Sequence, residues 1–171
     1  GFALNYTHIY EIDITPNGAS RTWVRLAAGL TSITPSGNEE ISQDGYYDGD
    51  GMSSSDVVGG QLTISASGHR EYGDPAQDYI ASLALAYGSA RKTNLRITNP
   101  NGDVITGAIT LANISAGGSA GDAKAKVEFT FEAHFNGAPT FEAANKTMLP
   151  EEVTATAVTV TAGATASINA T

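Results

Sequence analysis

The chain of 171 residues contains no cysteine, so it forms neither disulfide bonds nor thiolate metal sites. It also has no apolar run approaching the ~20 residues that a membrane-spanning helix requires. Its N-terminus lacks the basic and apolar regions that characterise a secretory signal peptide. We therefore expect no membrane partner for this protein.

Basic residues are scarce, with nine Lys and Arg against eighteen Asp and Glu, and the formal net charge is −9. Tight binding of duplex DNA needs several Lys or Arg contacts to phosphate. The best local group is Arg91 and Lys92 with Arg96, which is typical of surface charges around the start of a strand. The composition argues against tight nucleic-acid binding, but it does not exclude contact without binding.

Sequence motifs for catalysis and cofactor binding are also missing. There is no phosphate-binding glycine loop and no G-x-S-x-G nucleophile motif. Asp48 and Asp50 match only part of a calcium-binding EF-hand loop, because Gly59 stands where that loop needs an acidic ligand. Glu39 and Glu40 are more typical of a solvated surface than of a glycosidase pair. Since the histidines also lack ligand spacing, we predict no enzymatic activity, no metal and no cofactor.

The clearest predicted element is a helix over residues 74–87. Asp74 is a good N-cap, Pro75 suits the first helical position, and Gln77 completes a capping box with Asp74. In such a box the side chain of the third helical residue bonds back to the backbone N–H of the cap. The apolar side chains share one face and are expected to pack on a sheet as core: Ala76, Tyr79, Ile80, Leu83, Ala84 and Tyr87.

Most other segments show the alternation of apolar and polar residues that is typical of half-buried strands. About seven strands are expected, including 8–14, 21–27, 61–66, 92–98, 103–115 and 124–135. Short turns such as Asn99–Gly102 connect several of them, which favours antiparallel pairing. Gly107 is a candidate for a β-bulge. The residues thus predict a mainly β domain with one helix laid against a sheet.

Residues 36–60 interrupt this pattern with a long loop that lacks strand and helical periodicity. The loop contains six glycines and no basic residue, and its acidic residues are Glu39, Glu40, Asp44, Asp48, Asp50 and Asp56. Tyr46 and Tyr47 lie in its middle, and exposed aromatic residues commonly take part in protein contacts. Long loops inside a compact domain are usually functional or disordered. Together with the free edges of a small sheet, this loop indicates self-assembly.

Over roughly residues 3–145 the sequence resembles the major tail tube proteins of long, non-contractile-tailed bacteriophages. The resemblance rests on WVRLAAGLTSITPSGNEE, YYDGDG, GGQLTISASGHREYGDPAQDYIASLALAYG, NPNGDVITGAITLANI and VEFTFEAHFNG, of which the GDPAQDYI helix opening is the most specific. We assign residues 1–152 to one tail tube domain, with an extended arm over 136–152. The Ala- and Thr-rich residues 153–171 resemble the beginning of a bacterial immunoglobulin-like domain.

The resemblance implies a two-sheet antiparallel β-sandwich or barrel flanked by one α-helix. It also implies hexameric rings that stack into a tube in the virion tail, through which DNA passes during ejection. The long loop and the arms would bridge subunits and rings, with contact residues Glu39, Glu40, Asp44, Tyr46, Tyr47, Asp48 and Asp50. Other implied partners are the tape measure protein, the tail terminator protein and the distal tail protein. The resemblance also implies assembly in the host cytoplasm.

The channel of such a tube would suit an acidic wall, because a basic wall would grip duplex DNA at every ring. Glu128 and Glu132 are candidates for that wall, although Lys124 and Lys126 lie on the same strand alternation. Two other functions stay open. One is the tube of a phage-derived bacteriocin, which carries no genome. The other is a monomeric β-sandwich that binds carbohydrate or protein through the acidic loop.

Overall fold

The computed structural model describes residues 1–118 and 121–144, and these residues are mainly β. The strands are β1 (Ile9–Asp13), β2 (Trp23–Arg25), β3 (Leu30–Ser36), β4 (Glu40–Gly45), β5 (Ser53–Gly59), β6 (Thr63–His69), β7 (Lys92–Thr98), β8 (Val104–Ser115), β9 (Glu128–Phe135) and β10 (Thr140–Glu142). One α-helix of the described residues, α1, spans Pro75–Ser82. The end of the predicted arm and the predicted immunoglobulin-like segment lie outside the described residues.

Most strands belong to one large antiparallel sheet. Its strand order is β2-β1-β7-β8-β9-β6-β3, and β10 pairs with the beginning of β8. Strands β4 and β5 form a second, two-stranded sheet. The predicted fold class, mainly antiparallel β with one helix, is therefore confirmed. The additional strands lie in the segments that were predicted as a long loop and an extended arm.

The large sheet curls so that its two ends approach each other. Strands β2 and β3 are the two edge strands of this sheet, yet only residues 26–29 connect them in the chain. Seven strands in a flat sheet would place its ends ~29 Å apart, whereas this connection spans at most ~18 Å. A hollow between the two ends is lined by residues of β1, β2 and β3, among them Tyr10, Arg25 and Ile33. The curled sheet encloses the core.

The core consists of side chains from one face of the sheet and one face of α1. Its buried members are Ile12, Leu26, Ile64, Ala66, Ala76, Ile80, Leu95, Ile97, Ile109, Leu111, Phe129, Phe131, Ala133 and Phe135. Burial of each large apolar side chain stabilises the fold by about 1.5–3 kcal/mol. Strand β9 buries every second residue, as its sequence predicts. Lys124 and Lys126 precede β9, so they do not share its alternation, contrary to the prediction.

Helix α1 is shorter than predicted. Asp74 is the N-cap and accepts a hydrogen bond from the backbone N–H of Gln77. Ile80 is fully buried, and Tyr79 and Leu83 are partly buried against the core, as expected. The prediction was wrong for Tyr87, which lies beyond the helix with 78% of its surface exposed. None of the described helices is long and apolar enough to cross a membrane.

The early end of α1 has a local cause. The backbone N–H groups after Ser82 bond three residues back, from Leu83 to Ile80 and from Ala86 to Leu83, which tightens the turn. The guanidinium of Arg91 then donates to the carbonyls of Ala84 and Ala86 at 2.8 and 2.6 Å. These carbonyls are therefore satisfied by a side chain instead of by further helical turns.

Gly107 is not a bulge. Its pairing with Leu95 is regular, and the register of β8 shifts instead between Ala112 and Ser115, where Asn113 has a φ of 48°. A Cβ atom on Gly107 would lie 2.7 Å from the ring of Phe135. The residue is glycine because this ring approaches the backbone closely.

Candidate assembly surfaces

The segment predicted as a long loop is a β-hairpin, and this prediction was therefore wrong. Strands β4 and β5 pair over their length, and residues 46–52 connect them. The strands carry mainly Ser, Gly and Asp, and nearly every side chain is exposed. Because the hairpin buries neither face against the core, its sequence shows no alternation of apolar and polar residues.

The base of the hairpin is anchored to the main sheet. The side-chain amide of Asn38 donates to the carbonyl of Gln61 at 3.0 Å and to the hydroxyl of Thr63 at 2.9 Å. The N–H of Gln61 donates to the carbonyl of Gly37 at 3.1 Å. Asn38 has a φ of 43°, a conformation that Asn adopts more readily than most residues. These bonds define the direction in which the hairpin leaves the sheet.

The hairpin concentrates unpaired negative charge. Its six acidic side chains are all exposed: Glu39, Glu40, Asp44, Asp48, Asp50 and Asp56. Within residues 1–118 and 121–144, none of them takes part in an ion pair. No group of three or more acidic or histidine side chains in that part of the chain could hold a metal ion. Self-repulsion among these carboxylates favours contact with a cationic surface.

The hairpin also exposes apolar surface. At the turn, Tyr46 is 61% exposed and Tyr47 is fully exposed. Met52 is also exposed in this connection. Val57 and Val58 are exposed on β5. The outer edges of both strands leave backbone N–H and C=O groups without a strand partner in the described residues. Exposed aromatic residues beside free strand edges are typical of a surface that contacts another chain.

A second group of exposed apolar residues lies outside the hairpin. It includes side chains of the N-terminal segment, of the chain around α1 and of β10: Phe2, Leu4, Tyr6, Tyr72, Leu85, Tyr87 and Phe141. Single exposed apolar residues such as Phe141 are normal on monomers, but several large ones close together in the N-terminal segment and around α1 are not. These segments are further candidates for contacts between subunits.

The outward face of β3, β6 and β9 is polar, and we call it the polar face. Cross-strand register places Thr34, Ser65 and Glu132 in one row and Ser32, Ser67 and Thr130 in the next. The polar face carries the carboxylates of Glu128 and Glu132, and none of its outward positions is Lys or Arg. Both predicted wall candidates therefore lie on one face of β9, opposite the core.

Glu132 is held by two neighbours on this face. Its carboxylate accepts from the amide of Asn113 at 2.6 Å and contacts Nε2 of His134 at 3.2 Å. The hydrogen bond from Asn113 and, next, the contact with His134 hold the pKa of Glu132 below its ordinary value. The carboxylate therefore stays ionised at neutral pH, and the face stays negative.

The other end of the sheet has a different character. The guanidinium of Arg96 lies 4.5 Å from the ring centre of Trp23, and that of Arg21 lies 5.9 Å from it. Arg25 shares a cross-strand row with Glu11 and Arg96. We call this set the arginine–tryptophan surface: Arg21, Trp23, Arg25 and Arg96. The alternation in RTWVR indicates that Arg21, Trp23 and Arg25 share a face, and this pattern is visible in the sequence alone.

The buried side-chain amide of Gln77 joins α1 to the connection between β2 and β3 and to the end of β6. Gln77 is fully buried, and its side-chain oxygen accepts from the N–H of Glu71 at 2.8 Å and from Arg70 at 3.2 Å. Its side-chain nitrogen donates to the carbonyls of Ala28 at 2.6 Å and His69 at 3.1 Å. The capping box predicted that this amide bonds back to the backbone of Asp74. Instead, all four of its hydrogen bonds go to other residues. It ties the β2–β3 connection to the end of β6.

The comparisons support the same architecture. A protein in the tail of an empty gene transfer agent particle, solved by helical refinement with C6 symmetry, matches 83% of this chain and all of its own chain, with a TM-score of 0.66 and 17% identity. The chain has the fold of a tail protein. A protein of the virion of a native gene transfer agent particle matches 83% of this chain and all of its own, with a TM-score of 0.60 and 16% identity.

A third similar structure is that of the anti-feeding prophage cap, which terminates a tube. It matches 84% of this chain and 93% of its own, with a TM-score of 0.50 and 15% identity. No family model matches the sequence, and no curated protein matches it significantly. The likeness therefore lies in the backbone architecture, since most side chains differ.

Proposed function

We propose that this chain is a structural, non-enzymatic subunit that assembles into stacked hexameric rings and forms a tail tube. The likeness to a tail protein over 83% of this chain and the whole of that protein supports this proposal. The C6 symmetry of that tail motivates the hexamer. In this arrangement each subunit makes a head-to-tail contact, which closes rings and, between rings, extends a filament.

The hairpin suits the contact between rings. It is exposed on both faces, carries unpaired acidic residues and ends in exposed aromatic residues. Side chains of this kind gain little from packing on their own subunit, so a neighbour would provide their packing. The proposed contact residues are Glu39, Glu40, Asp44, Tyr46, Tyr47, Asp48 and Asp50. The exposed N-terminal segment and β10 are proposed to contact adjacent subunits.

The polar face suits the wall of the channel. It carries small polar side chains and the carboxylates of Glu128 and Glu132, with no Lys or Arg at its outward positions. Duplex DNA carries about one negative charge per 1.7 Å of its axis, so such a wall would let DNA slide without adhesion. The tube would sit in a virion tail, with tape measure and tail-end proteins as its other partners.

Electron microscopy of the purified protein tests this proposal. We expect negatively stained samples to contain rings and tubes with sixfold symmetry, and light scattering to show large assemblies. A stable monomer at all concentrations would contradict the tube and favour the binding module. The DNA content of native particles then separates a phage tail from a phage-derived bacteriocin, whose tube carries no genome.

A further inference from the structure

The arginine–tryptophan surface carries positive charge that the described subunit does not neutralise. Arg96 pairs with Glu11 through a 2.8 Å contact from Nε to Oε2. Arg21 and Arg25 are exposed, and neither forms an ion pair within residues 1–118 and 121–144. Trp23 is partly exposed between them. Exposed Arg and Trp together are the residue types that dominate the energy of protein interfaces.

The acidic hairpin has the complementary features. Its six carboxylates are exposed and unpaired in the described part of the chain. Tyr46 and Tyr47 extend from its turn. One subunit thus contains a strongly acidic surface with tyrosines and a cationic surface with a tryptophan, and it does not bring the two together.

We propose that the hairpin of one copy docks on the arginine–tryptophan surface of a neighbouring copy. This inference rests on the proposed function, and it names the receiving surface. Carboxylates such as Asp48 would pair with Arg21 and Arg25, while the tyrosines would pack beside Trp23. Complementary charge aligns the two copies during encounter, and the aromatic contact holds them afterwards.

DNA is a less suitable occupant of this surface. Glu11 lies inside it and already neutralises Arg96, so only two arginines remain for phosphate contacts. Tight duplex binding uses more contacts than that. A contact between two different surfaces of the same chain is also heterologous, which is the kind of contact that builds rings and filaments.

Engineered disulfides test the contact directly, because the natural chain has no cysteine. Asp48→Cys protein and Arg25→Cys protein are mixed under assembly conditions and oxidised. We expect a disulfide-linked dimer between the two variants on a non-reducing gel. Lys124→Cys, which places a thiol on an exposed loop, is the matched control for Arg25→Cys. Equal yields of cross-linked dimer with Arg25→Cys and Lys124→Cys would overturn the proposal.

Charge-reversal variants test how much the docking contact contributes to assembly. The variant R21E/R25E should form at least about tenfold less tube than the natural protein, and so should D48K/D50K, because each creates like-charge contacts. A mixture of the two variants, or the combined variant, should recover tubes, whereas K124E should leave them unchanged. Thermal melts establish that each variant is folded.

The outcomes separate this inference from the proposed function. Normal tubes from folded R21E/R25E would overturn the docking contact and leave the tube assignment intact. Loss of duplex DNA binding in R21E/R25E with unchanged assembly would also overturn it, because the surface would then serve DNA. A natural protein that never assembles would overturn both proposals.

Discussion

At the scale of single residues, Gln77 links α1 to two other segments, the β2–β3 connection and the end of β6. Its amide makes four hydrogen bonds, which reach Ala28, His69, Arg70 and Glu71. Gly29 supports the junction, because a Cβ atom there would lie 2.3 Å from the carbonyl oxygen of His69. The junction sets how the curled sheet closes beside α1.

We predict that Gln77→Leu destabilises the protein strongly. The variant removes the side-chain partner of the Glu71 N–H and of the Ala28 and His69 carbonyls in a part-buried site, and a buried polar group left unpaired costs about 1–3 kcal/mol. The loss should appear as a lower urea midpoint with an unchanged slope. Gln43→Leu is the control, because Gln43 makes its hydrogen bond on the exposed hairpin. Equal stability of the two variants would contradict the structural role of Gln77.

Tyr79 gives a prediction for alkaline pH. Burial is the largest cause and raises the pKa of its phenol, a hydrogen bond with Thr93 partly offsets this, and the nearby Asp13 carboxylate raises the pKa further. An unfolded tyrosine ionises near pH ~10. Above that pH the unfolded state binds fewer protons than the folded state, so the free energy of unfolding falls as pH rises.

We expect Tyr79→Phe to reduce this alkaline decline in stability. Chemical unfolding on either side of pH ~10 measures the change in the unfolding free energy. Tyr87→Phe, at an exposed position, should leave the decline as it is in the natural protein. A decline that is identical in both variants would show that Tyr79 is not responsible. Burial also raises the pKa of Tyr10, so we expect part of the decline to remain in Tyr79→Phe.

The sequence predicts the structural role of a residue well where one local interaction decides that role. Asp74 caps α1 as expected, because the cap depends only on its immediate neighbours. Gln77 and Asp13 could not be predicted in the same way. Asp13 is fully buried and accepts hydrogen bonds from its neighbour Thr15 and from Thr22 and Asn94, which lie 9 and 81 residues away. Gln77 likewise reaches Ala28, which lies 49 residues away. Tertiary packing brings such partners together, and no spacing in the sequence records it.

At the scale of elements, the predictions succeed where one face of an element is buried. Strand β7 (Lys92–Thr98) has the predicted bounds, because its burial alternates residue by residue. Strands β4 and β5 were missed because the hairpin buries neither face. The end of α1 was missed because Arg91, which is distant from the helix start, satisfies the carbonyls beyond it.

Removal of the hairpin should separate folding from assembly. We predict that replacing Glu39–Asp56 with a short Gly/Ser linker leaves a folded monomer that forms no tubes. The main sheet keeps its core, since no buried core residue lies in the hairpin. Circular dichroism and thermal melts measure folding, and electron microscopy measures assembly. Normal tubes from this deletion would contradict the bridging role of the hairpin.

At the scale of the whole molecule, acidic charge is divided unequally. Six of the eighteen acidic residues lie on the hairpin, while the polar face carries two carboxylates. Net charge alone therefore overstates how acidic a channel lined by the polar face would be. Its relevant property is the absence of Lys and Arg at the outward positions of β3, β6 and β9.

We predict that lysines on the polar face create adhesion to DNA. Tubes of E128K/E132K should still form, because both side chains point away from the core. They should bind a short DNA duplex more tightly than natural tubes, and each new phosphate contact should steepen the salt dependence by about 0.9 in log–log slope. The neutral variant E128Q/E132Q is the control. Unchanged DNA binding by E128K/E132K tubes would place this face outside the channel.

The anchored base of the hairpin has a consequence for the kinetics of tube growth. Asn38 fixes the hairpin's direction in the free subunit, so an arriving subunit loses little conformational freedom when it docks. In the proposed tube, the first ring would have no ring below it to dock on, so its formation would be the slow nucleation step. Under the proposed assembly, polymerisation should therefore show a lag that short tube seeds remove, and Asn38→Ala should slow elongation from those seeds.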